Sequence, residues 1–128
     1  MVNQHSIKVK VYYEDTDAGG VVYYANYLRY LERARMEFLY EKGIDVIDYH
    51  QRGIFFVVTN LEIAYKKSAR LGDVLTVTIE VTELRKASLR LKNQIFRGEE
   101  LIVEAFITLA CLEKGRLRRL PEEFKTLI

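Results

Sequence analysis

One segment carries a long helical period. Residues 21–43 read "VVYYANYLRYLERARMEFLYEKG". Tyr24, Tyr27, Leu28, Leu31, Ala34 and Phe38 recur at steps of three and four, which lays one apolar stripe along a helix. Arg29, Glu32, Arg33, Glu37 and Glu41 take the opposite face, with Arg33 and Glu37 spaced as an i,i+4 ion pair. Gly43 is placed to stop the helix, which spans about 20 residues or about 30 Å. A stripe of that length has to be buried against something. The rest of the chain supplies strands to bury it.

"SIKVKVYY" before the helix alternates, with Ile7, Val9 and Val11 on one face and Lys8 and Lys10 on the other. "DVIDYHQRG" after it reads as one or two further helical turns ending at Gly53. Beyond this point "IFFVVTNLEIAYKK" is β-branched and aromatic. "LGDVLTVTIEVTEL" sets Leu75, Val77, Ile79 and Val81 against Thr76, Thr78, Glu80 and Thr82. "ASLRLKNQIF" and "ELIVEAFITLACLEK" follow, joined by the tight turn "RGEE". The order β-α-β-β-β-β predicts an α+β fold in which an antiparallel meander wraps one helix. Ile102, Phe106 and Leu112 add an apolar second face to the last strand, which another subunit would cover.

The 128 residues fit a single domain spanning 1–128. A single cysteine, Cys111, excludes an intrachain disulfide and a Cys-based metal motif, and its apolar setting reads as a small buried hydrophobe. No apolar run approaches the ~18 residues of a membrane span. "MVNQHSIKVK" lacks the pattern of a signal peptide, so a cytoplasmic protein is expected. A net charge of +2 points to neither nucleic acid nor membrane. The charge is uneven, −2 over residues 1–64 and +4 over 65–128, with basic clusters "YKKSAR", "LRKASLRLK" and "KGRLRR". Each could meet an anionic ligand or simply be a solvated strand end.

The segment "EDTDAGGVVYY" has the parts for acyl transfer. A helix start presents unpaired N–H groups that polarise a carbonyl oxygen. A carboxylate beside it can act as general base or nucleophile. Two glycines let backbone approach a ligand. The same acids also suit a helix-capping turn, and spacing alone leaves both readings open. His5 and His50 show no metal-ligand spacing, and there is no nucleophile elbow, phosphate loop or dinucleotide fingerprint. What remains is an acid mechanism that needs no metal and no cofactor.

"VYYEDTDAGGVVYYANYLRYLERAR", residues 11–35, closely resembles the signature of the 4-hydroxybenzoyl-CoA thioesterase family. It is nearest the branch of bacterial acyl-CoA thioesterases associated with the Tol–Pal operon. "AYKKSARLGDVLTV" and "ELRKASLRLKNQIF" resemble later segments of that family, so the resemblance runs from about Val9 to about Glu113.

The resemblance implies a hotdog fold, an acyl-CoA substrate and a homo-oligomer, often a dimer of dimers, with active sites between subunits. It implies Asp17 as the catalytic carboxylate, attacking the thioester or activating a water that does. It further implies the backbone N–H of Tyr24 as the group that polarises the thioester oxygen. Gly19 and Gly20 leave room for the substrate, Asp15 organises the loop, and Arg85, Lys86 and Ser88 match the region that meets the phosphates of coenzyme A. Many members of the Tol–Pal branch carry His at the Tyr24 position, so an imidazole relay there is not available to this chain. Two other readings stand beside this one. A hotdog dehydratase would need a His near residues 11–35, and a non-catalytic acyl-CoA binder or envelope-associated module would bind without turnover.

Overall fold

The computed structural model describes residues 4–128, so the first three residues of the expected domain lie outside the described residues. The elements are β1 (Gln4–Lys10), α1 (Asn26–Glu41), α2 (Val46–Gln51), β2 (Ile54–Tyr65), β3 (Val74–Leu84), β4 (Ser88–Arg97), β5 (Glu100–Glu113) and a short β6 (Arg116–Leu117). Short 3-10 turns cover Tyr13–Asp15 and Glu122–Leu127.

The long helix starts later than its apolar pattern suggests. It has 16 residues, because Val21 and Val22 are taken by β-bridges to Arg70 and Thr16 and cannot enter it. The buried stripe is accordingly Tyr27, Tyr30, Leu31, Ala34, Phe38 and Leu39. Tyr24 precedes the helix, so the helical period does not govern it, and it is 61% exposed. Leu28 also turns outward, while Tyr30 and Leu39 replace the two in the core. The expected Arg33–Glu37 ion pair does not form among the described residues; Arg33 lies over the Tyr30 ring at 5.9 Å instead. Gly43 ends the helix as expected, at φ +80°, with the Ile44 N–H donating back to the Leu39 carbonyl at 2.9 Å.

All pairings in the single sheet are antiparallel, in the order β1-β3-β4-β5-β2 with β6 on β5. Only β3, β4 and β5 form the meander that the sequence suggests. β2 sits beyond β5, and β1 sits beside β3. The connection 66–73 makes this possible by crossing the end of the sheet. The N–H groups of Lys66 and Lys67 donate to the Ile102 carbonyl on β5 at 2.8 and 3.2 Å. Arg97 Nη1 on β4 donates to the Ser68 carbonyl at 3.0 Å. The Asp73 carbonyl then accepts from the Val11 N–H at 2.8 Å beside β1. Three strand spacings of about 4.8 Å come to about 15 Å, well within the reach of that segment.

Leu75, Val77, Ile79 and Val81 of β3 and Leu89, Leu91 and Ile95 of β4 are buried in one cluster with the α1 stripe. Each large side chain so buried contributes about 1.5–3 kcal/mol. A helix held in the curve of one antiparallel sheet is the hotdog fold. The second face of the sheet is more polar than expected. A bulge between Ile95 and Phe96 accompanies a fully buried Ile102. Phe106 lies under the Arg90 guanidinium at 5.2 Å, and Gln94 bonds Glu104 at 2.9 Å alongside. Among the described residues no helix is long and apolar enough to cross a membrane.

Candidate active site

Residues 11–24 leave β1, turn back and enter α1. Asp15 is the knot of this excursion. It is 9% exposed, and its Oδ2 accepts the Tyr12 N–H at 2.9 Å. Its backbone carbonyl accepts the Tyr23 N–H at 2.9 Å and the Asn26 Nδ2 at 2.9 Å. One residue thereby ties the entry of the loop to its exit. Burial, together with the Asp15 carboxylate beside it, pushes the Tyr30 phenol well above its usual range.

Asp17 sits on the tip. Its N–H donates to the Val21 carbonyl at 2.9 Å, and its carbonyl accepts the Gly20 N–H at 3.0 Å. Gly20 takes φ +80°, which a side chain would resist. Oδ1 of Asp17 accepts the Gly19 N–H at 2.8 Å, and a Cβ on Gly19 would sit 3.3 Å from that oxygen. Oδ2 accepts from no group among the described residues, and Asp17 is exposed.

Asp15 caps the short 3-10 turn through the Tyr12 N–H, but the acids do not cap α1. The residue at the cap of α1 is Ala25, which offers no side-chain acceptor, and none of Glu14, Asp15 or Asp17 reaches the helix start with its carboxylate. The N–H of Tyr24 finds no acceptor among the described residues either. An uncapped helix start leaves donors free to receive a ligand oxygen. The Thr16–Val22 bridge puts Asp17 and Tyr24 on the two arms of one turn. The Tyr24 ring leans on Tyr23 at 5.1 Å and meets Tyr65 edge-on at 5.9 Å.

Sequence patterning does not reveal the support under this turn. The 66–73 connection holds it from below: the Val22 N–H donates to the Ala69 carbonyl at 2.9 Å, and the Ala69 N–H donates to the Tyr27 hydroxyl at 2.9 Å. Both residues are buried, and burial raises the Tyr27 pKa. The periodicity marks Tyr27 as core but is silent on where its hydroxyl goes. The connection is itself pinned by Arg97, which bonds Asp73 at 2.9 Å and Glu100 at 2.8 Å. Burial raises the Asp73 pKa, but the Arg70 N–H and the Arg97 guanidinium outweigh it and hold the carboxyl below its ordinary value. Tyr27→Phe keeps the ring and strands the buried Ala69 N–H. It should lower stability by about 1–3 kcal/mol in chemical denaturation, with an unchanged slope.

The basic residues lie elsewhere. Arg85 bonds Glu83 through Nε at 2.6 Å, Lys86 is exposed beside it, and Ser88 opens β4. They occupy the far end of β3, whereas Asp17 and Tyr24 lie near its start at Val74. Eleven residues of strand at about 3.3 Å each put roughly 35 Å between the two ends. One chain therefore does not bring the two groups together. Cys111 is buried, and burial raises its thiol pKa, so it behaves as core. His5 bonds Glu41 at 2.9 Å, and His50 packs on Phe55 at 4.9 Å; neither is on the loop that carries Asp17.

A family model described as thioesterase-like superfamily matches residues 11–128. The chain belongs to this superfamily. The thioesterase-like chain is also 38% identical over 126 residues to the acyl-CoA thioesterase YbgC of Haemophilus influenzae, covering 96% of this chain and 93% of that protein. A thioesterase of Thermus thermophilus, solved with coenzyme A and zinc, superposes with a TM-score of 0.83 at 30% identity, over 95% of this chain and 94% of the other. The 4-hydroxybenzoyl-CoA thioesterase of Pseudomonas sp. strain CBS-3 shares the fold at a TM-score of 0.87 and 20% identity, over 98% and 99% of the two chains.

Proposed function

We propose that the protein hydrolyses acyl-CoA thioesters to the free acid and coenzyme A. The observation that carries this reading is the pairing, on one exposed turn, of a carboxylate oxygen and a backbone N–H that both lack a partner among the described residues. In the reaction the thioester oxygen takes the Tyr24 N–H, which stabilises the negative charge that develops on it. Asp17 either removes a proton from the attacking water or attacks the carbonyl itself. The C–S bond then breaks, and the thiolate leaves to be protonated as coenzyme A; on the nucleophile route the acyl group remains on Asp17 as a mixed anhydride, which water hydrolyses to the free acid. Gly19 and Gly20 keep the approach to Asp17 open, since side chains there would crowd its oxygen or strain the turn.

Arg85, Lys86 and Ser88 take the phosphates of the nucleotide end. Their distance from Asp17 in one chain means that the complete site joins residues of two copies, which makes the protein a homo-oligomer. β2 offers a route to it. Its outer edge pairs with no strand among the described residues, and Val58 and Leu61 of β2 are exposed. The same edge of a second copy can pair with it about a two-fold axis. A dimer of dimers and a cytoplasmic location complete the proposal; the coenzyme A thioesters it consumes are cytoplasmic metabolites.

The test is release of free thiol across a series of acyl-CoA chain lengths and aromatic acyl groups, with the mass in solution measured in parallel. Turnover by an oligomer is expected. Tight acyl-CoA binding with no thiol released would hand the site to the non-catalytic binder, and a fully active monomer would remove the shared site.

A further inference from the structure

The peptide that joins Tyr23 to Tyr24 carries two polar groups, the Tyr23 carbonyl and the Tyr24 N–H. In a trans peptide they lie in one plane and point in opposite directions, so whatever holds the carbonyl also aims the N–H. The residue that holds it is Asn26. Its backbone N–H donates to the Tyr23 carbonyl at 2.8 Å. Its side chain reaches the other way, and Nδ2 donates to the Asp15 carbonyl at 2.9 Å. That same carbonyl accepts the Tyr23 N–H at 2.9 Å. These bonds close a ring from Asp15 to Tyr23, on to Asn26 and back to Asp15.

The first turn of α1 gives this peptide little support of its own. The Tyr27 N–H meets the Tyr24 carbonyl only at 3.4 Å, and the Leu28 N–H meets the Ala25 carbonyl at 3.2 Å. Both lie at or past the long end of the ordinary N–H···O range. Asn is also an unfavourable opening residue for a helix, since it prefers the cap itself, and the cap here is Ala25. The Asn26 amide is turned to the loop instead. At the far end of its bond, Asp15 is buried and lies two residues before Asp17.

We infer that Asn26 is a positioning residue: through the carbonyls of Asp15 and Tyr23 it aims the Tyr24 N–H and holds it at a fixed offset from Asp17. This rests on the thioesterase reading and adds to it a residue outside the reacting groups. The reason is geometric. An oxyanion donor has to sit about 2.7–3.1 Å from the oxygen it stabilises, and a displacement of about 1 Å can cost about 100-fold in rate.

Asn26→Ala should lower kcat for acyl-CoA hydrolysis about 10–100-fold, with KM within a few-fold. It strands no buried donor, and the Asp15 carbonyl keeps the Tyr23 N–H, so the thermal midpoint should fall by only a few degrees. Asn26→Asp keeps the size of the side chain but not the donor, and its kcat should fall at least as far. A double variant tells positioning from mere support. Once the Tyr24 N–H is gone, there is nothing left for Asn26 to aim. Tyr24→Pro combined with Asn26→Ala should therefore turn over within about twofold of Tyr24→Pro alone, and multiplication of the two losses would overturn the assignment. The amide resonance of Tyr24 in a nitrogen–proton spectrum needs neither turnover nor the proline variant. It should shift in Asn26→Ala, and an unmoved resonance would also overturn the assignment. If the wild type is active and Asn26→Ala is equally active, the positioning role alone is lost. If the wild type releases no thiol from any acyl-CoA, the thioesterase reading falls and takes this role with it.

Discussion

Asp17→Asn should lower kcat for acyl-CoA hydrolysis by about 10²–10⁴-fold, the range expected when a positioned general base is lost. The fold should not notice. Asp17 is exposed, and the one bond its side chain makes is acceptance of the Gly19 N–H at 2.8 Å. The carbonyl oxygen of Asn accepts that bond equally well, so the turn from 17 to 21 survives. What Asn lacks is a charged oxygen that can take a proton or attack a carbonyl, and Oδ2 is the oxygen the turn leaves free for that purpose. Circular dichroism and the thermal midpoint should match the wild type, and KM should stay within a few-fold because binding is made elsewhere. Wild-type turnover in this variant would remove Asp17 from the chemistry under either the general-base or the nucleophile description.

The neighbouring acids show how much of this site the sequence disclosed. Glu14, Asp15 and Asp17 look alike as letters, and helix capping is an adequate account of all three. The fold separates them by burial: Asp15 is folded inward to bond Tyr12, while Asp17 is left outside with one oxygen free. Alternation predicted the strands, because the period-2 pattern of residues 75–82 follows directly from one buried face. It did not predict their neighbours. Whether β2 lies beside β3 or beyond β5 depends on where residues 66–73 find partners, and those partners, Ile102 and Arg97, are about thirty residues away. The same holds for Tyr27: its place in the stripe was legible, but its bond to Ala69 belongs to the tertiary structure. The start of α1 is not legible in the pattern because Val21 and Val22 are as compatible with a bridge as with a helix, and only the pairing to Arg70 and Thr16 decides between them.

The oxyanion donor can be tested on the backbone itself. Tyr24→Pro removes the N–H, and kcat should fall about 10²–10³-fold, the loss seen when one oxyanion donor is deleted. The helix tolerates the change because the Tyr24 N–H donates to nothing among the described residues and proline suits the approach to a helix. Tyr24→Phe is the paired variant. It keeps the N–H and the aromatic contact with Tyr65 and loses the hydroxyl alone, so its kcat should stay within a few-fold of wild type. If Tyr24→Phe falls as far as Tyr24→Pro, the phenol and not the backbone is the working group. If Tyr24→Pro folds and retains full turnover, the donor is another N–H; that of Ala25, equally without an acceptor among the described residues, is the next to remove. Unchanged coenzyme A binding in Tyr24→Pro, measured by calorimetry, separates loss of the donor from loss of the site. Free coenzyme A carries no thioester oxygen for the Tyr24 N–H to hold, so loss of that donor alone should leave its binding within a few-fold.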